Sequence, residues 1–550
     1  MEDVYILIND CVFYLSSQFT FDILLQLSTT SKYNSKLIYE LTIHDHDNQP
    51  IYHTSTNQIK KFHNIDTLTI SKYYNFHLET NNLTNLIHIK NIKFHDEQHI
   101  PFITKLTQLT SCNFVRINSI PTSYFHTALT RLYVFNSSHK ILNVQYVFAL
   151  THLTHIDARN NRGYVDVEQF LGFKNLKSLI IPFVKNLSKL SELISLQAIS
   201  IHNDYIQHPD IVVISHPTVT NIEIYDCVDF KITNCHKLKY LKLTDWINCF
   251  LDDNILQLHT LILNARDGSH DYDMNINFDI NRCISLEYLE YSSAMIQNLT
   301  YLEHHLTKLN SLYLGYNINI RVDDVVANNL TYLSVNNNTN ILDLNKYRNL
   351  KQLSICYVQC SNLDKLVELE YLNCEDENNS FQRHYINCMN HRKLTYLCLQ
   401  NQGIINLSNL SKLNRLILHN IDYIDLTNIW NNDIKYLFKL TFLYIHKSYE
   451  TSLNATKGFD ISCLANPLNL KCLGCNFLLN DLNLLDNVNY LNITYHKSYS
   501  NIISKLTKLN TLYISSNEKI DKMDVRSLKR LNNFYQHESN LIFPEITMIE

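Results

Sequence analysis

The chain has 550 residues, with 47 Lys plus Arg against 52 Asp plus Glu and a formal net charge of −5. That balance shows no basic block of the kind a nucleic-acid footprint needs, so no nucleic-acid partner is expected. Hydrophobic residues make up 45%, enough for a long core, and only 7 Gly and 8 Pro argue against collagen-like, Pro-rich or glycine-linker sequence.

Residues 1–37 carry apolar side chains at three- and four-residue spacing: Val4, Ile8, Cys11, Val12 and Leu15, then Phe19, Phe21, Leu24 and Leu27. That spacing predicts short helices. The start, Met1-Glu2-Asp3, lacks the basic opening of a secretory signal. A cytoplasmic protein with reduced thiols is therefore expected, and sequons such as Asn298-Leu299-Thr300 are expected to stay unmodified. No stretch approaches about 18 uninterrupted apolar residues, so no membrane-spanning helix is expected.

From Asp22 to Ile38 the segment resembles the latter half of an F-box, whose pattern there is L-L-x-L-x-x-V-S/C-K/R-x-W. Leu24, Leu25, Leu27, Ser31 and Lys32 match it. Thr30 stands at the valine, Asn34 at the tryptophan, and the usual Leu-Pro opening is absent. The resemblance implies that Val12, Leu15, Leu24 and Leu27 dock a Skp-type adaptor. The other reading is a helical cap, because the first coil of a repeat array would otherwise expose its core. The expected boundaries are 1–37 for this segment, 38–540 for the repeats and 541–550 for a tail.

Beyond residue 37 one frame returns at roughly twenty places, most often about 19–23 residues apart. It reads Leu309, Leu312, Leu314, Asn317; then Leu330, Leu333, Val335, Asn338; then Leu509, Leu512, Ile514, Asn517. Residues two apart share one face of a strand, so Leu241 and Leu243 point together, with Leu238 leading in. The frame resembles that of leucine-rich-repeat proteins. This implies a solenoid: a parallel sheet on the concave side, with short helical, 3₁₀ or extended segments on the convex side. In that family an Asn at the ninth position, as at Asn91, Asn161, Asn317, Asn338 and Asn517, bonds backbone groups of neighbouring coils. Longer gaps near 264–285, 378–393, 419–439 and 446–469 leave room for a helical turn or a projecting loop. An F-box-like start before irregular repeats, in a chain rich in Asn, Ile, Lys and Tyr, is similar in style to F-box and repeat proteins of giant DNA viruses. For such a protein the implied location is the host cytoplasm.

Strand positions that do not face the core face the concave surface. Tyrosine recurs there, and Tyr288, Tyr313, Tyr332, Tyr371 and Tyr396 are expected to fall in consecutive repeats as one ladder. Tyrosine suits a half-exposed strand, and it is also a preferred binding residue. Asp157, Glu223, Glu290 and Glu375 are interspersed with Arg131, Arg159, Lys242 and Arg415, a mixture that suits a protein partner.

Catalytic patterns are sparse. Cys472 and Cys475 form a lone C-x-x-C without two further ligands, so no metal and no cofactor are expected. Cys374-Glu375-Asp376 has the letters of the nucleophilic motif in bacterial repeat-containing ubiquitin ligases, yet Cys374 sits at an inward strand position, which reads as core. The expected function is a non-catalytic interaction scaffold. An F-box would make it a substrate receptor of a cullin–RING ubiquitin ligase. Without one it is a free-standing leucine-rich-repeat binding protein.

Overall fold

The computed structural model describes residues 40–43, 67–70, 88–93, 108, 110–115 and most of 129–537. Val12, Leu15, Leu24 and Leu27, expected to dock an adaptor, the tail, and the ninth-position side chains Asn91, Asn161, Asn317, Asn338 and Asn517 lie outside the described residues. Contacts divide the chain into two units, Met1–Asp279 with Met295–Asn298, and Ile280–Ala294 with Leu299–Glu550.

The leucine frame builds a leucine-rich-repeat fold. In the second unit the strands Tyr288–Ser293, Ser311–Tyr316, Tyr332–Asn336, Gln352–Cys356, Tyr371–Glu375, Tyr396–Gln400 and Arg415–Ile421 pair in parallel, each with the next. The series runs on through Phe442–Lys447, Cys472–Cys475, Tyr490–Thr494 and Thr511–Ser515 to Asn533–His537. Register follows the frame, so Leu289, Leu312, Leu333, Leu353 and Leu372 stand side by side on successive coils. All of them are fully buried. No coil could bury its leucines alone, and the stack supplies the missing neighbours. The first unit repeats the pattern, with Leu179, Ile199, Ile222, Leu241 and Leu261 aligned and buried.

The return paths are short, as their length requires. Opposite the main sheet lie two-stranded pairs such as Tyr301–Leu302 with Arg321–Val322, and 3₁₀ turns such as Leu187–Glu192. The 419–439 gap holds the expected helical turn, Ile429–Asp433 running into Ile434–Tyr436. One α-helical turn, Asp324–Asn329, occupies a shorter gap where extended chain would have sufficed. Asp323 caps it by accepting from Val325 N at 2.8 Å.

Turn chemistry fixes the spacing between coils. Asn186, Asn362 and Asp481 adopt left-handed backbone, which Asn and Asp tolerate better than most residues. Asn362 donates to Asp343 Oδ1 of the preceding coil at 2.8 Å, and Asn186 donates to Asp166 at 3.0 Å. Gly315 is needed for close approach: a Cβ there would collide with the Ser292 backbone on the neighbouring coil.

Candidate functional site

Alternation in the strands sets which side chains face outward. In the second unit one outward row reads Tyr288, Ser311, Tyr332, Gln352, Tyr371, Tyr396, Arg415, Phe442 by direct register. Tyr313 belongs to the parallel row two residues further along, opposite Glu290 and Ser334. The sequence expectation of one ladder in consecutive repeats therefore needs correction. Strand Gln352–Cys356 stands between Tyr332 and Tyr371, and Tyr313 is offset from the other four. The frame itself carries both corrections: Leu350, Leu353 and Ile355 form a coil between Tyr332 and Tyr371, and Tyr313 lies between Leu312 and Leu314 whereas the other four precede the second frame leucine.

Side chains sharpen the picture. Tyr371 and Tyr396 stack with centroids 4.2 Å apart and planes 11° apart. Their Cα atoms are register partners, so the distance between neighbouring strands matches a stacking distance. The Arg415 guanidinium follows, 5.7 Å from the Tyr396 ring and 4.5 Å from the Phe442 ring. Arginine between two aromatic faces is held by the ring quadrupoles and by stacking. At the other end Tyr288 donates its hydroxyl to Glu290 Oε2 at 2.7 Å. Burial, and then that carboxylate, push the Tyr288 phenol well up, and burial does the same for Tyr396. The rings therefore stay neutral hydrogen-bonding surfaces. All five predicted tyrosines are half-buried, as outward strand residues packed by their neighbours should be.

The first unit carries a polar cluster on the same face. Arg159 and Asp157 pair at 2.8 Å. Glu223 Oε2 accepts from the Tyr225 hydroxyl at 3.1 Å and from the Ser200 hydroxyl at 3.4 Å. His202 stacks on Tyr225 at 4.2 Å, and Lys242 Nζ lies 5.4 Å from the same ring. Burial pushes the Tyr225 phenol up to about 12, with Glu223 adding to the rise. These groups satisfy one another, which suits a rigid polar face more than a reactive one.

Cys374 and Cys475 follow the core reading, whereas Cys472 stands in the outward row beside Phe442. Cys374 is buried, and burial raises its thiol well above the ordinary range, the reverse of what a nucleophile needs. Cys472 and Cys475 are free thiols on one strand. Among the described residues no group of three His, Cys, Asp or Glu could hold a metal ion, and no helix is long and apolar enough to cross a membrane.

Two features escaped the sequence reading. The first is an asparagine ladder in the turn before the strand. Asn329, Asn349, Asn469 and Asn487 each precede the first frame residue. Their side-chain amides donate to carbonyls one coil back: Thr307 at 3.0 Å, Asn328 at 2.8 Å, Phe438 at 3.2 Å and Leu468 at 2.6 Å. Its signal was the recurring Asn-Leu or Asn-Val step, as in Asn349-Leu350.

The second is a pair of fully buried histidines, His216 and His391, at the position Leu306 holds in its own coil. Their Nε2 atoms lie 3.2 Å from Leu193 O and 3.0 Å from Leu363 O. A carbonyl only accepts, so Nε2 carries a proton and donates. The Nδ1 of His391 is buried with no partner. Burial lowers both pKa values below the ordinary 6.5. A depressed histidine stabilises the fold above the unfolded value and loses that contribution as pH falls through the folded value. Each such proton adds a slope of up to about 1.4 kcal/mol per pH unit. Denaturation midpoints measured from pH 7.5 downward should fall less steeply in His391→Leu than in wild type. An identical slope would show that His391 takes up its proton without unfolding.

No protein-family model matches the chain, and no curated sequence matches it. Among solved structures it is similar to a chain of the TLR13–ssRNA13 complex, at 16% identity and a TM-score of 0.50, over 86% of this chain and 78% of that one. A chain of the mouse RP105/MD-1 complex gives 14% identity and a TM-score of 0.42, over 87% and 81%. A leucine-rich-repeat protein of Leptospira interrogans gives 14% and 0.32, over 80% and 93%. At 16% identity the likeness to the first of these is one of fold.

Proposed function

We propose that the chain is a non-catalytic scaffold that binds a protein partner on the outward strand face of the second unit, from Tyr288 to Phe442. The observation that carries this reading is the Tyr371–Tyr396 stack, continued by Arg415 and Phe442. It is a rigid, half-exposed aromatic and guanidinium surface, and Tyr and Arg are the residues that most often anchor protein interfaces. Its geometry is set by strand register, so little conformational entropy remains to be lost on binding. The test is affinity capture with the full chain, followed by measurement of the captured partner against Tyr371→Ala and Tyr396→Ala.

A finer proposal concerns residues 1–37 and rests on the sequence match at Leu24, Leu25, Leu27, Ser31 and Lys32. In this reading the segment is an F-box, and the chain is the substrate receptor of a cytoplasmic cullin–RING ubiquitin ligase. Val12, Leu15, Leu24 and Leu27 dock the Skp-type adaptor while the repeats hold the substrate. Contacts of this kind concentrate energy in a few apolar anchors. Wild type should then co-purify with a Skp-type adaptor, and Leu24→Glu with Leu27→Glu should abolish co-purification while leaving the far-ultraviolet spectrum of the repeats unchanged. If wild type retains no adaptor, the segment is a cap and the chain a free-standing binding protein.

A further inference from the structure

The turn that leads into each strand of the second unit carries a charge pattern hidden by its period. The residue just before the first frame leucine is Lys308, Lys393, Lys412, Lys439, Lys508 or Arg530 in six coils. The asparagines of the turn ladder hold it in four more, Glu368 holds it in one and Ser285 in another. All six basic side chains are exposed. Two contacts confirm that this position lines up from coil to coil. Lys393 Nζ meets Glu368 Oε2 of the preceding coil at 2.5 Å, and Lys508 Nζ meets Asn487 Oδ1. Arg348, Lys351, Arg392 and Lys471 flank the row, against Glu370 and Asp486. In the first unit the same position reads Asn175, Ser195, Thr218, Lys237 and Gln257, so the basic row belongs to the second unit.

Within the stack Lys393 already has one partner, Glu368. Where the position is Asn, its amide satisfies a carbonyl one coil back. The coils bearing Lys393, Lys412 and Lys439 carry an ammonium at this position, and in the first two Asn390 and Asn409 supply the amide bond one coil back. The three coils are consecutive, because strands Tyr396–Gln400, Arg415–Ile421 and Phe442–Lys447 pair in sequence. Neighbouring strands lie about 4.8 Å apart, and like charges held directly opposite destabilise a sheet. An external anion bound along the row would meet several of these ammonium groups at once.

The row also carries bare aromatic surface. Phe438, beside Lys439, is 56% exposed, and Tyr436 is 41% exposed with Lys435 Nζ 5.3 Å from its ring. Leu468, at the position of Phe438 one coil on, is 53% exposed. Both rings lie in the coil of Lys439, and exposed rings beside cations suit a single strand, with phosphates on the charges and bases on the rings. An acidic peptide would use the lysines and leave Phe438 and Tyr436 uncovered.

We infer that the turn edge of the second unit binds a single-stranded nucleic acid, with its phosphates on Lys393, Lys412 and Lys439 and a base stacked on Phe438. This surface is separate from the outward strand face, so the two proposals stand or fall independently. The experiment is fluorescence anisotropy of the full chain with labelled oligouridylate and oligothymidylate about twenty nucleotides long, over a series of salt concentrations. Poly-glutamate serves as competitor. The expected result is binding that weakens with salt, with the slope of log K against log salt reduced by about 2 in K393Q/K412Q/K439Q. Phe438→Ala should weaken binding by about five-fold or more. Both variants should melt as wild type does, since every altered side chain is exposed, and Tyr371→Ala should bind the oligonucleotides normally. No binding at low salt, an unchanged slope in the triple variant, an unchanged affinity in Phe438→Ala, or poly-glutamate competing equally per charge would each overturn the proposal.

Discussion

Leu312→Asp is expected to unfold the stack around it, with a loss of more than about 5 kcal/mol. Leu312 has no exposed surface and stands between Leu289 and Leu333 at matched register. Truncating such a leucine alone costs about 2–5 kcal/mol, and a buried carboxylate with no partner adds its desolvation. The sum is comparable to the whole stability of a typical domain, about 5–15 kcal/mol. Repeat coils lend stability only to their neighbours, so failure of one coil releases those on either side. Thermal melting together with limited proteolysis reads this out. Ser311→Asp, one residue away on the outward face, is the control and should cost less than about 1 kcal/mol. If the two variants melted alike, the register of the frame would be wrong.

The leucines made most of this fold legible because their signal is local. Two residues define a strand face and three define the turn into it, all within a few positions. The frames that open at Leu309 and Leu509 give strands at Ser311–Tyr316 and Thr511–Ser515. The shift of about two residues has a physical cause. The first leucine closes a turn, as Leu309 N donates to Leu306 O at 3.2 Å, and pairing begins only when Asn310 N and Ser311 N reach Glu287 O on the coil before.

What the sequence concealed depends on contacts about twenty residues apart. The amide of Asn349 meets the carbonyl of Asn328, and no short window contains both. Abundant asparagine makes any one Asn a weak marker in this chain, and the turn ladder is hidden among the rest. His391 replaces a leucine of the return turn, a position visible only after every coil has been aligned. The basic row failed for the same reason. Lysines spaced by one repeat look dispersed along the chain, yet they are adjacent in the stack, as the Lys393–Glu368 pair demonstrates. The charge that matters in a solenoid is counted down a column of coils.

The same columns decide how the aromatic face should behave once a partner is in hand. Tyr371→Ala and Tyr396→Ala should each weaken that partner by about 2 kcal/mol, roughly thirty-fold, if the stack anchors the interface. The stability cost should be smaller, near the about 0.5–1.5 kcal/mol of a stacked pair beyond its area, because both rings are already half-exposed. Arg415→Lys separates charge from shape: it keeps the cation but loses the planar group between Tyr396 and Phe442. A partner that reads the stacked surface should lose affinity for it, and a partner that reads only charge should not. Tyr490→Ala, which breaks the Tyr490–Tyr513 contact at 5.6 Å elsewhere in the unit, controls for loss of any outward tyrosine. Stability losses at Tyr371 and Tyr396 with unchanged affinity would assign the stack to the fold alone. Strand pairing would then be the whole reason that two rings meet at 4.2 Å.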